Sequence, residues 1–364
     1  MGALKVGVLG CGNIASEYLK QLHGRSSVEV LACADRHPER AEKAAREHGV
    51  PRHYGPAELM ADKDIELVLN LTIPLSHLQT SLEALQKGKH VYSEKPLGTT
   101  LAEAQALLSA AKAAGLRLGC APDTVLGPGI QTCRKLIDEG AIGKPLHAVA
   151  FMASHGPEDW HPNPAFLYKK GAGPLLDVGP YYLTALVNLL GPVSQVSGSA
   201  KITFPERVIG SQPLKGTKIQ VEMPTTVAGT LEFEQGSFAS LIVSFDIWHH
   251  HLPRLEIYGT EGSLSVPDPN TFGGPVLIRK AGDSLLQEVP LIYPADGVGR
   301  GLGVLELALA LKQGRPHRAS AEIAFHILEV MEALFESSNK GVHVPLKSHI
   351  NRPEYLGSLQ SISA

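Results

Sequence analysis

A glycine-rich turn near the start of the chain has the residue types and spacing of a phosphate-binding loop. It has the pattern Gly10-x-Gly12-x-x-Ala15, between a strand-like run and a helix-like run. Gly10 permits a tight turn, Gly12 lets the backbone approach a pyrophosphate, and the small Ala15 lets helix and strand pack closely. The free N–H groups at the helix start would face the phosphates. The turn predicts a dinucleotide site formed by Gly10, Gly12, Asn13 and Ile14.

An acidic residue ends the second strand-like run, twenty residues after Ala15. At this position Asp35 would accept hydrogen bonds from the adenosine ribose hydroxyls, and its charge would repel a 2′-phosphate. The predicted cofactor is therefore NAD. Arg36 follows immediately and would hold a 2′-phosphate in the alternative that the cofactor is NADP. We expect both side chains to contact the cofactor.

Candidate ligand-binding residues also follow the third and fourth strand-like runs. Thr72, Pro74 and His77 come after one run, and Glu94 and Lys95 come after the next. Open α/β sheets bind ligands outside the carboxyl ends of their strands. We therefore expect all five residues to lie near the cofactor.

A carboxylate and a phenol stand near the start of a helix-like run over 174–190. Asp177 and Tyr181 are four residues apart, a spacing that places two side chains on one face of a helix. The pair predicts a second group of chemically useful side chains.

Taken in order, these motifs resemble the Gfo/Idh/MocA oxidoreductases. The resemblance spans both halves of the chain, and Glu-Lys-Pro is its most specific mark. It implies a nucleotide-binding Rossmann domain, a C-terminal α/β domain and NAD(P)-dependent oxidation or reduction of a sugar, polyol or related carbonyl compound. The motifs that carry it are Gly10–Ala15, Thr72…Pro74…His77, Glu94-Lys95-Pro96 and Asp177-x-Gly179-x-Tyr181.

The resemblance also implies catalytic residues. The family's lysine falls on Lys95 and its helix aspartate falls on Asp177. Many members have histidine at the last position of D-x-G-x-H, where this chain has Tyr181. In this respect the chain resembles the glucose–fructose oxidoreductase and dihydrodiol dehydrogenase branches.

Oxidation of a secondary alcohol removes a proton from oxygen while hydride leaves carbon. The proton acceptor needs a pKa near neutrality, whereas ordinary lysine and tyrosine have a pKa of about 10. We expect Lys95 to contact the reacting oxygen, Tyr181 to relay or donate the proton, and Asp177 to orient the substrate hydroxyl. Whether Lys95 or Tyr181 is the immediate acceptor stays open at this point.

Polar aromatic residues cluster in the loop that precedes the helix-like run. Such residues suit stacking on a sugar ring, although a loop that folds back onto the core would give the same pattern. The predicted substrate-binding residues are His155, Trp160, His161, Tyr168 and Tyr182. The run Trp248–His251 holds three histidines, but neighbours in a strand point to opposite faces. No metal site is therefore predicted.

The first 122 residues alternate between strand-like and helix-like runs. This alternation predicts a Rossmann domain, with a parallel sheet covered by helices on both faces. The predicted strands are 4–9, 28–34, 65–71, 90–93 and 116–120, and the predicted helices are 14–23, 37–48, 75–87 and 100–114.

Residues 123–364 predict a substrate-binding and oligomerisation domain of the α+β class, with a large, mostly antiparallel open sheet. Its late helices are expected to pack on the first domain or on the sheet. An uncovered sheet face would expose a large apolar patch, so we expect a homo-oligomer, either a dimer or a tetramer. The predicted strands are 146–154, 193–204, 217–223, 226–233, 237–247 and 253–259, and the helices are 129–139, 174–190, 301–313 and 320–337.

The composition of the 364 residues is that of a globular protein, with 43% apolar and 19% charged residues and a net charge of −3. The absence of a basic excess argues against nucleic acid as a partner. No apolar run reaches the length of a membrane span. The first strand-like run begins at Leu4, which predicts no secretory signal and a cytoplasmic protein.

The leading prediction is an NAD(H)-dependent oxidoreductase acting on a hydroxyl or carbonyl of a carbohydrate, polyol or glycoside. One alternative is a redox-neutral enzyme that processes glycosides through transient oxidation by bound NAD. Another is a cofactor-sensing regulator without turnover. Replacing Lys95 by alanine would separate an enzyme from a regulator.

Overall fold

The computed structural model describes residues 2–357. The chain folds into two compact units, each built from more than one segment of the sequence. Unit 1 comprises the described parts of Met1–Gln131, Ile292–Phe325 and Pro353–Ala364, and unit 2 comprises Thr132–Leu291 and His326–Arg352. The domain division after residue 122 stays a prediction.

Unit 1 contains a six-stranded parallel sheet in the order β3-β2-β1-β4-β5-β6. All four residues of β4 are buried, as expected for a parallel sheet with both faces covered. The Rossmann prediction is therefore confirmed. Its strands are β1 Leu4–Leu9, β2 Val28–Ala34, β3 Arg52–Tyr54, β4 Leu67–Asn70, β5 His90–Ser93 and β6 Leu118–Cys120.

Most of the helices of unit 1 alternate with these strands. Thr100 caps α5 by accepting a hydrogen bond from the N–H of Glu103, and Gly115 ends this helix with a φ of 66°. The short β3 and α3 were not predicted, because three and six residues are too few to show a periodic pattern. The helices are α1 Ala15–Leu22, α2 Pro38–His48, α3 Pro56–Ala61, α4 Pro74–Gln86, α5 Leu101–Ala114 and α9 Leu302–Gln313.

Two further helices, α6 Pro128–Asp138 and α10 Ala321–Lys340, have residues in both units. Among the described residues, no helix is both long enough and apolar enough to cross a membrane.

Unit 2 contains a nine-stranded sheet in the order β16-β15-β14-β13-β7-β12-β11-β8-β17. Among the described strands of this sheet, only β7 and β12 pair in parallel, so the prediction of a large, mostly antiparallel sheet is confirmed. A separate two-stranded ribbon pairs β9 with β10. The strands are β7 Pro145–Ala153, β8 Val193–Lys201, β9 Glu206–Val208, β10 Lys218–Gln220, β11 Thr226–Phe233, β12 Phe238–Ser244, β13 Leu255–Gly259, β14 Gly262–Val266, β15 Val276–Lys280, β16 Gln287–Val289 and β17 Val344–Pro345.

The continuous helix predicted over 174–190 is wrong. The structure has α7 Pro174–Asp177 and α8 Gly179–Leu190, which meet at Val178. Pro180 explains the break, because it has no N–H to donate to the carbonyl of Leu176 and its ring would clash with that carbonyl. Every residue of α8 is buried.

Candidate functional site

The two glycines of the turn after β1 have different structural roles. Gly10 has a φ of 101°, and a Cβ added to it would lie 2.6 Å from the carbonyl carbon of Leu71. A Cβ added to Gly12 would meet nothing within 4 Å. Gly10 is therefore required by the protein's own packing, whereas Gly12 keeps open space beside the turn.

The turn also contains backbone N–H groups that could donate hydrogen bonds to a ligand. Among residues 2–357, the N–H groups of Gly12, Asn13 and Ile14 donate no hydrogen bond. No side chain caps the start of α1. Free N–H groups at the start of a helix carry partial positive charge and bind phosphate. These three residues fit a pyrophosphate.

The carboxylate of Asp35 binds the protein's own backbone. One oxygen accepts the N–H of Cys11 at 2.8 Å and the other accepts the N–H of His37 at 2.9 Å. Asp35 therefore ties the glycine turn to the end of β2. Each carboxylate oxygen can accept a second hydrogen bond, so the predicted role toward a ribose stays open. Arg36 is exposed, and its Nε donates to the ring of His37.

A buried polar network fixes the loop after β4. The Asn70 side chain accepts the hydroxyl of Thr72 at 2.6 Å and donates to Ser81 at 3.0 Å. Asn70 has no exposed surface, and sequence reasoning missed it. A polar residue at the end of an otherwise apolar strand was the available signal. Pro74 is exposed at the start of α4.

His77 is fully buried and lies between two carbonyl oxygens. Its Nδ1 is 2.7 Å from the carbonyl of Pro96, and its Nε2 is 2.9 Å from that of Thr72. His77 was predicted to lie near the cofactor. In the structure its ring joins the loop after β4 to the loop after β5, and its proximity to the cofactor stays a prediction.

Glu94 is held from two sides at the end of β5. Its carboxylate accepts the hydroxyl of Tyr18 at 2.7 Å and the N–H of Lys95 at 3.0 Å. Burial, and then the charge of Glu94, raise the pKa of Tyr18, so this phenol stays a donor. Tyr18 was missed from the sequence because it appears as an ordinary core position of α1. The pair fixes the backbone from which the half-buried Lys95 side chain projects.

In unit 2, Asp177 is the last residue of α7 and Tyr181 lies in the first turn of α8. Asp177 is partly exposed and Tyr181 is 7% exposed. The two residues therefore lie on separate helical segments and not on one continuous helix, because the helix is interrupted at Val178. A tight turn, closed by a 3.1 Å hydrogen bond from the N–H of Tyr181 to the Val178 carbonyl, joins the two segments instead.

The aromatic residues predicted to bind substrate separate into an exposed and a buried group. Trp160 is 71% exposed, and His155 and His161 are partly exposed. Tyr168 and Tyr182 are 0% and 1% exposed. These two tyrosines pack in the core, and their contact with substrate stays a prediction. Burial is also the largest cause of the raised pKa of each phenol.

Family models match most of the chain. Residues 4–121 match a model described as oxidoreductase family, NAD-binding Rossmann fold, and residues 130–265 match the GFO/IDH/MocA C-terminal domain. The chain belongs to the Gfo/Idh/MocA oxidoreductase family. The predictions of an oxidoreductase with an NAD-binding Rossmann domain are thereby confirmed.

Curated members of the Gfo/Idh/MocA family include two informative relatives. Trans-1,2-dihydrobenzene-1,2-diol dehydrogenase of Bos taurus is 29% identical over 73% of this chain and 75% of that protein. The scyllo-inositol 2-dehydrogenase (NAD(+)) of Bacillus subtilis is 27% identical over 72% of this chain and 73% of that protein.

Solved structures share the fold of this Gfo/Idh/MocA chain. An NAD binding oxidoreductase from Klebsiella pneumoniae has a TM-score of 0.82 at 22% identity, covering 95% of this chain and 100% of its own. Levoglucosan dehydrogenase in complex with NADH and L-sorbose has a TM-score of 0.80 at 24% identity, covering 95% and 99%.

A buried ionic cluster in the C-terminal part of this Gfo/Idh/MocA protein was missed from the sequence. The Arg207 guanidinium lies 3.2 Å from Glu158 and 3.0 Å from Asp246. All three side chains are at most 7% exposed. Charged residues are rarely so buried unless paired, but their separation along the chain hides the pairing. The cluster fixes the backbone beside Trp160 and Trp248.

Proposed function

We propose that this oxidoreductase transfers hydride between NAD(H) and a secondary hydroxyl or carbonyl of a sugar, polyol or glycoside. The observation that carries the proposal is the double anchoring of Glu94 by Tyr18 and by the N–H of Lys95. This anchoring places an amine at the carboxyl end of β5, the edge where open α/β sheets bind ligands. The names of the diol and inositol dehydrogenases among the relatives support the substrate class.

The cofactor is proposed to be held mainly by backbone groups. The N–H groups of Gly12, Asn13 and Ile14 bind the pyrophosphate, because they have no partner among the described residues. Asp35 accepts the ribose hydroxyls with its remaining lone pairs. The nicotinamide, when bound, accepts or donates hydride. The other proposed cofactor contacts are Gly10, Arg36, Thr72, Pro74, Glu94 and Lys95, and His77 acts by positioning their loops.

Lys95 is proposed to hold the reacting oxygen and to move its proton. A carboxylate at Asp177 accepts a hydrogen bond from the substrate hydroxyl and orients it. The phenol of Tyr181 relays the proton, which suits a hydroxyl that is largely shielded from bulk water. In the reductive direction Lys95 and Tyr181 donate hydrogen bonds to the carbonyl oxygen and so polarise it.

The proposal is tested by following the nicotinamide absorbance band. Purified protein receives NAD and one member at a time of a panel of sugars, inositols and glycosides. We expect reduced cofactor to accumulate with at least one compound. A protein that binds NAD but produces no net reduction with any of them contradicts net hydride transfer.

Variants separate catalysis from binding. Lys95→Ala should lower kcat by about 10³-fold, the scale of a lost proton-transfer group, while changing the Kd for NADH less than tenfold. Lys87→Ala is the matched control, because Lys87 is exposed at the end of α4 in the same unit. Full activity of Lys95→Ala would rule out the proposed role.

A further inference from the structure

Both tryptophans of the chain lie on the surface of unit 2. Trp160 is 71% exposed and Trp248 is 79% exposed, and the nearby Phe166 is 56% exposed. Large aromatic rings that stay exposed to water do not contribute the stabilising free energy that their burial would give the fold. Such exposed apolar surface commonly marks a binding site.

Each indole is in ring contact with a histidine. Trp248 stacks on His155 with a centroid distance of 3.3 Å and an interplanar angle of 14°. His161 lies edge-on to both Trp160 and Phe166, at 5.6 and 5.5 Å. We name the set of Trp160, Phe166, Trp248, His155 and His161 the aromatic rim. Nδ1 of His161 accepts the N–H of Asn163, and Nε2 of His155 lies 3.4 Å from Arg207. Nε2 of His161 has no hydrogen-bond partner among residues 2–357, which leaves the rim a polar group beside its ring faces.

Arg207 brings the two tryptophans into one neighbourhood. Its ion-pair partner Glu158 is two residues before Trp160, and its partner Asp246 is two residues before Trp248. Two residues span at most about 7 Å, so one guanidinium anchors the backbone of both indoles.

Hydrogen bonds hold the Asp246 side of this anchor in place. The hydroxyls of Thr225 and Thr226 both donate to Asp246 at 2.7 Å, and Arg207 also donates to the carbonyl of Phe245. The rings therefore project from a fixed base. This rigidity reduces the entropy that ordering them around a ligand would cost.

The aromatic rim is linked to the segment that carries Asp177. The N–H of Gly173 donates to the carbonyl of Leu167, next to Phe166, at 2.9 Å. The carbonyl of Gly173 in turn accepts the N–H of Asp177 at 3.0 Å. The rim and the proposed substrate-orienting carboxylate thus belong to one hydrogen-bonded segment of unit 2.

The rim also contains a buried polar atom without a partner. His155 Nδ1 has no hydrogen-bond partner among residues 2–357. Unpaired buried polar atoms are uncommon in folded proteins and invite a functional explanation. Because this nitrogen belongs to the ring on which Trp248 stacks, it is a polar group of the rim itself.

We propose that the aromatic rim binds an aromatic group carried by the substrate, so that the natural substrate is an aryl glycoside. This inference rests on the proposed function and narrows its substrate class. One face of a sugar ring is too small to cover three exposed aromatic side chains, whereas a sugar joined to an aryl group presents a second flat surface. Ring stacking of this kind favours offset or edge-on contacts, and Nε2 of His161 hydrogen-bonds a polar substituent of that group.

The test compares phenyl and methyl glycosides of the same sugar. The kcat/KM for the phenyl compound should exceed that for the methyl compound by about tenfold, the scale of one aromatic contact. Trp160→Ala and Trp248→Ala should each bring this ratio close to one. Phe238→Ala is the matched control, because Phe238 is 45% exposed and stacks on His147 at 4.4 Å elsewhere in unit 2. It should leave the ratio unchanged.

Tryptophan fluorescence gives a readout that does not depend on turnover. Since Trp160 and Trp248 are the two tryptophans of the chain, Trp160→Phe and Trp248→Phe each leave one reporter. The phenyl glycoside should shift or quench the emission of both variants, and the methyl glycoside should affect it much less. If the phenyl glycoside changes the tryptophan emission but no glycoside is oxidised, the result supports aryl binding by the rim and contradicts the proposed hydride transfer.

Two results would overturn the aryl-binding proposal. One is an equal phenyl-to-methyl ratio in the unchanged protein and in the tryptophan variants, with no fluorescence response. The other is coverage of the rim by a second copy of the chain. In that case tryptophan emission would change on dilution, and Trp248→Ala would alter the sedimentation coefficient.

Discussion

The nucleotide-binding end of unit 1 and the aromatic rim of unit 2 use their charged side chains in different ways. In unit 1, Asp35 and Glu94 lie at strand ends and bind the protein's own backbone and a tyrosine hydroxyl. Within residues 2–357, the N–H groups of Gly12, Asn13 and Ile14 in the nearby turn donate no hydrogen bond. In unit 2, Arg207, Glu158 and Asp246 are buried together, and exposed rings face solvent.

Together with the proposed roles of the two regions, this difference indicates how one chain would recognise both a common cofactor and a particular substrate. Backbone N–H groups are the same in every protein, so a turn of the right geometry suffices for a pyrophosphate. Aromatic rings must be supplied by particular side chains and held by long-range contacts. We therefore expect substitutions under the rim to affect folding and substrate choice, and substitutions in the turn to affect cofactor binding.

The largest effect is expected from removing the cation under the rim. Arg207→Met should lower the free energy of unfolding by about 3–5 kcal/mol, because it leaves Glu158 and Asp246 buried without their partner. Urea denaturation followed by far-UV circular dichroism measures this loss. The fluorescence of the two tryptophans should become more heterogeneous in the variant.

A surface ion pair of the same unit is the matched control. Lys169 lies 2.7 Å from Glu222, with side chains 46% and 39% exposed. Lys169→Met should cost less than about 1 kcal/mol, as exposed pairs do. Equal losses in the two variants would show that the Arg207 cluster is not the anchor that we describe.

The two glycines of the turn provide the second test. Gly10→Ala should lower the free energy of unfolding by more than about 2 kcal/mol, because its φ of 101° strains a side chain and the new Cβ would press on the Leu71 backbone. The Gly12→Ala variant should keep nearly its full free energy of unfolding, because the new Cβ meets no protein atom within 4 Å. It should bind NADH at least about tenfold more weakly, because the Cβ would occupy space proposed for the pyrophosphate. Denaturation and NADH fluorescence titration measure the two effects. Strong NADH binding by Gly12→Ala would mean that the pyrophosphate lies elsewhere.

The smallest expected effect concerns a buried carboxyl group of unit 1. Asp123 is fully buried and accepts the N–H groups of Gly301 and Gly303 with one oxygen. Burial raises its pKa to about 6, above the value of about 3.9 in an unfolded chain. Its contribution to stability is therefore complete below a pH of about 3.9 and is lost as the pH rises through about 6.

Asp123→Asn isolates this contribution. Relative to the asparagine variant, the unchanged protein should lose about 2 kcal/mol of unfolding free energy between about pH 4.5 and pH 7. Denaturant titrations of both proteins across this range measure the difference. A constant difference between them would contradict the raised pKa.

Much of unit 1 could be predicted because its signals are local. The turn after β1 and the boundaries of β1, β2 and β5 follow from neighbouring residues, and the structure bears them out. The contacts of His77 and Asn70 were harder to predict from sequence, because their partners are brought close only by the folded sheet. A histidine near a strand end looks the same in sequence whether it meets a ligand or two carbonyl groups.

The sequence by itself determined the Rossmann sheet, the glycine turn and the family, because these depend on short periodic runs and on the backbone freedom of glycine. Tertiary structure decided which aromatic side chains are exposed. Tyr168 and Tyr182 are core residues, whereas Trp160 and Trp248 lie at the surface. The physical reason is that burial and ion pairing are set by residues far apart in the chain. Arg207 joins Glu158 to Asp246 across such distances, and no local pattern records that contact.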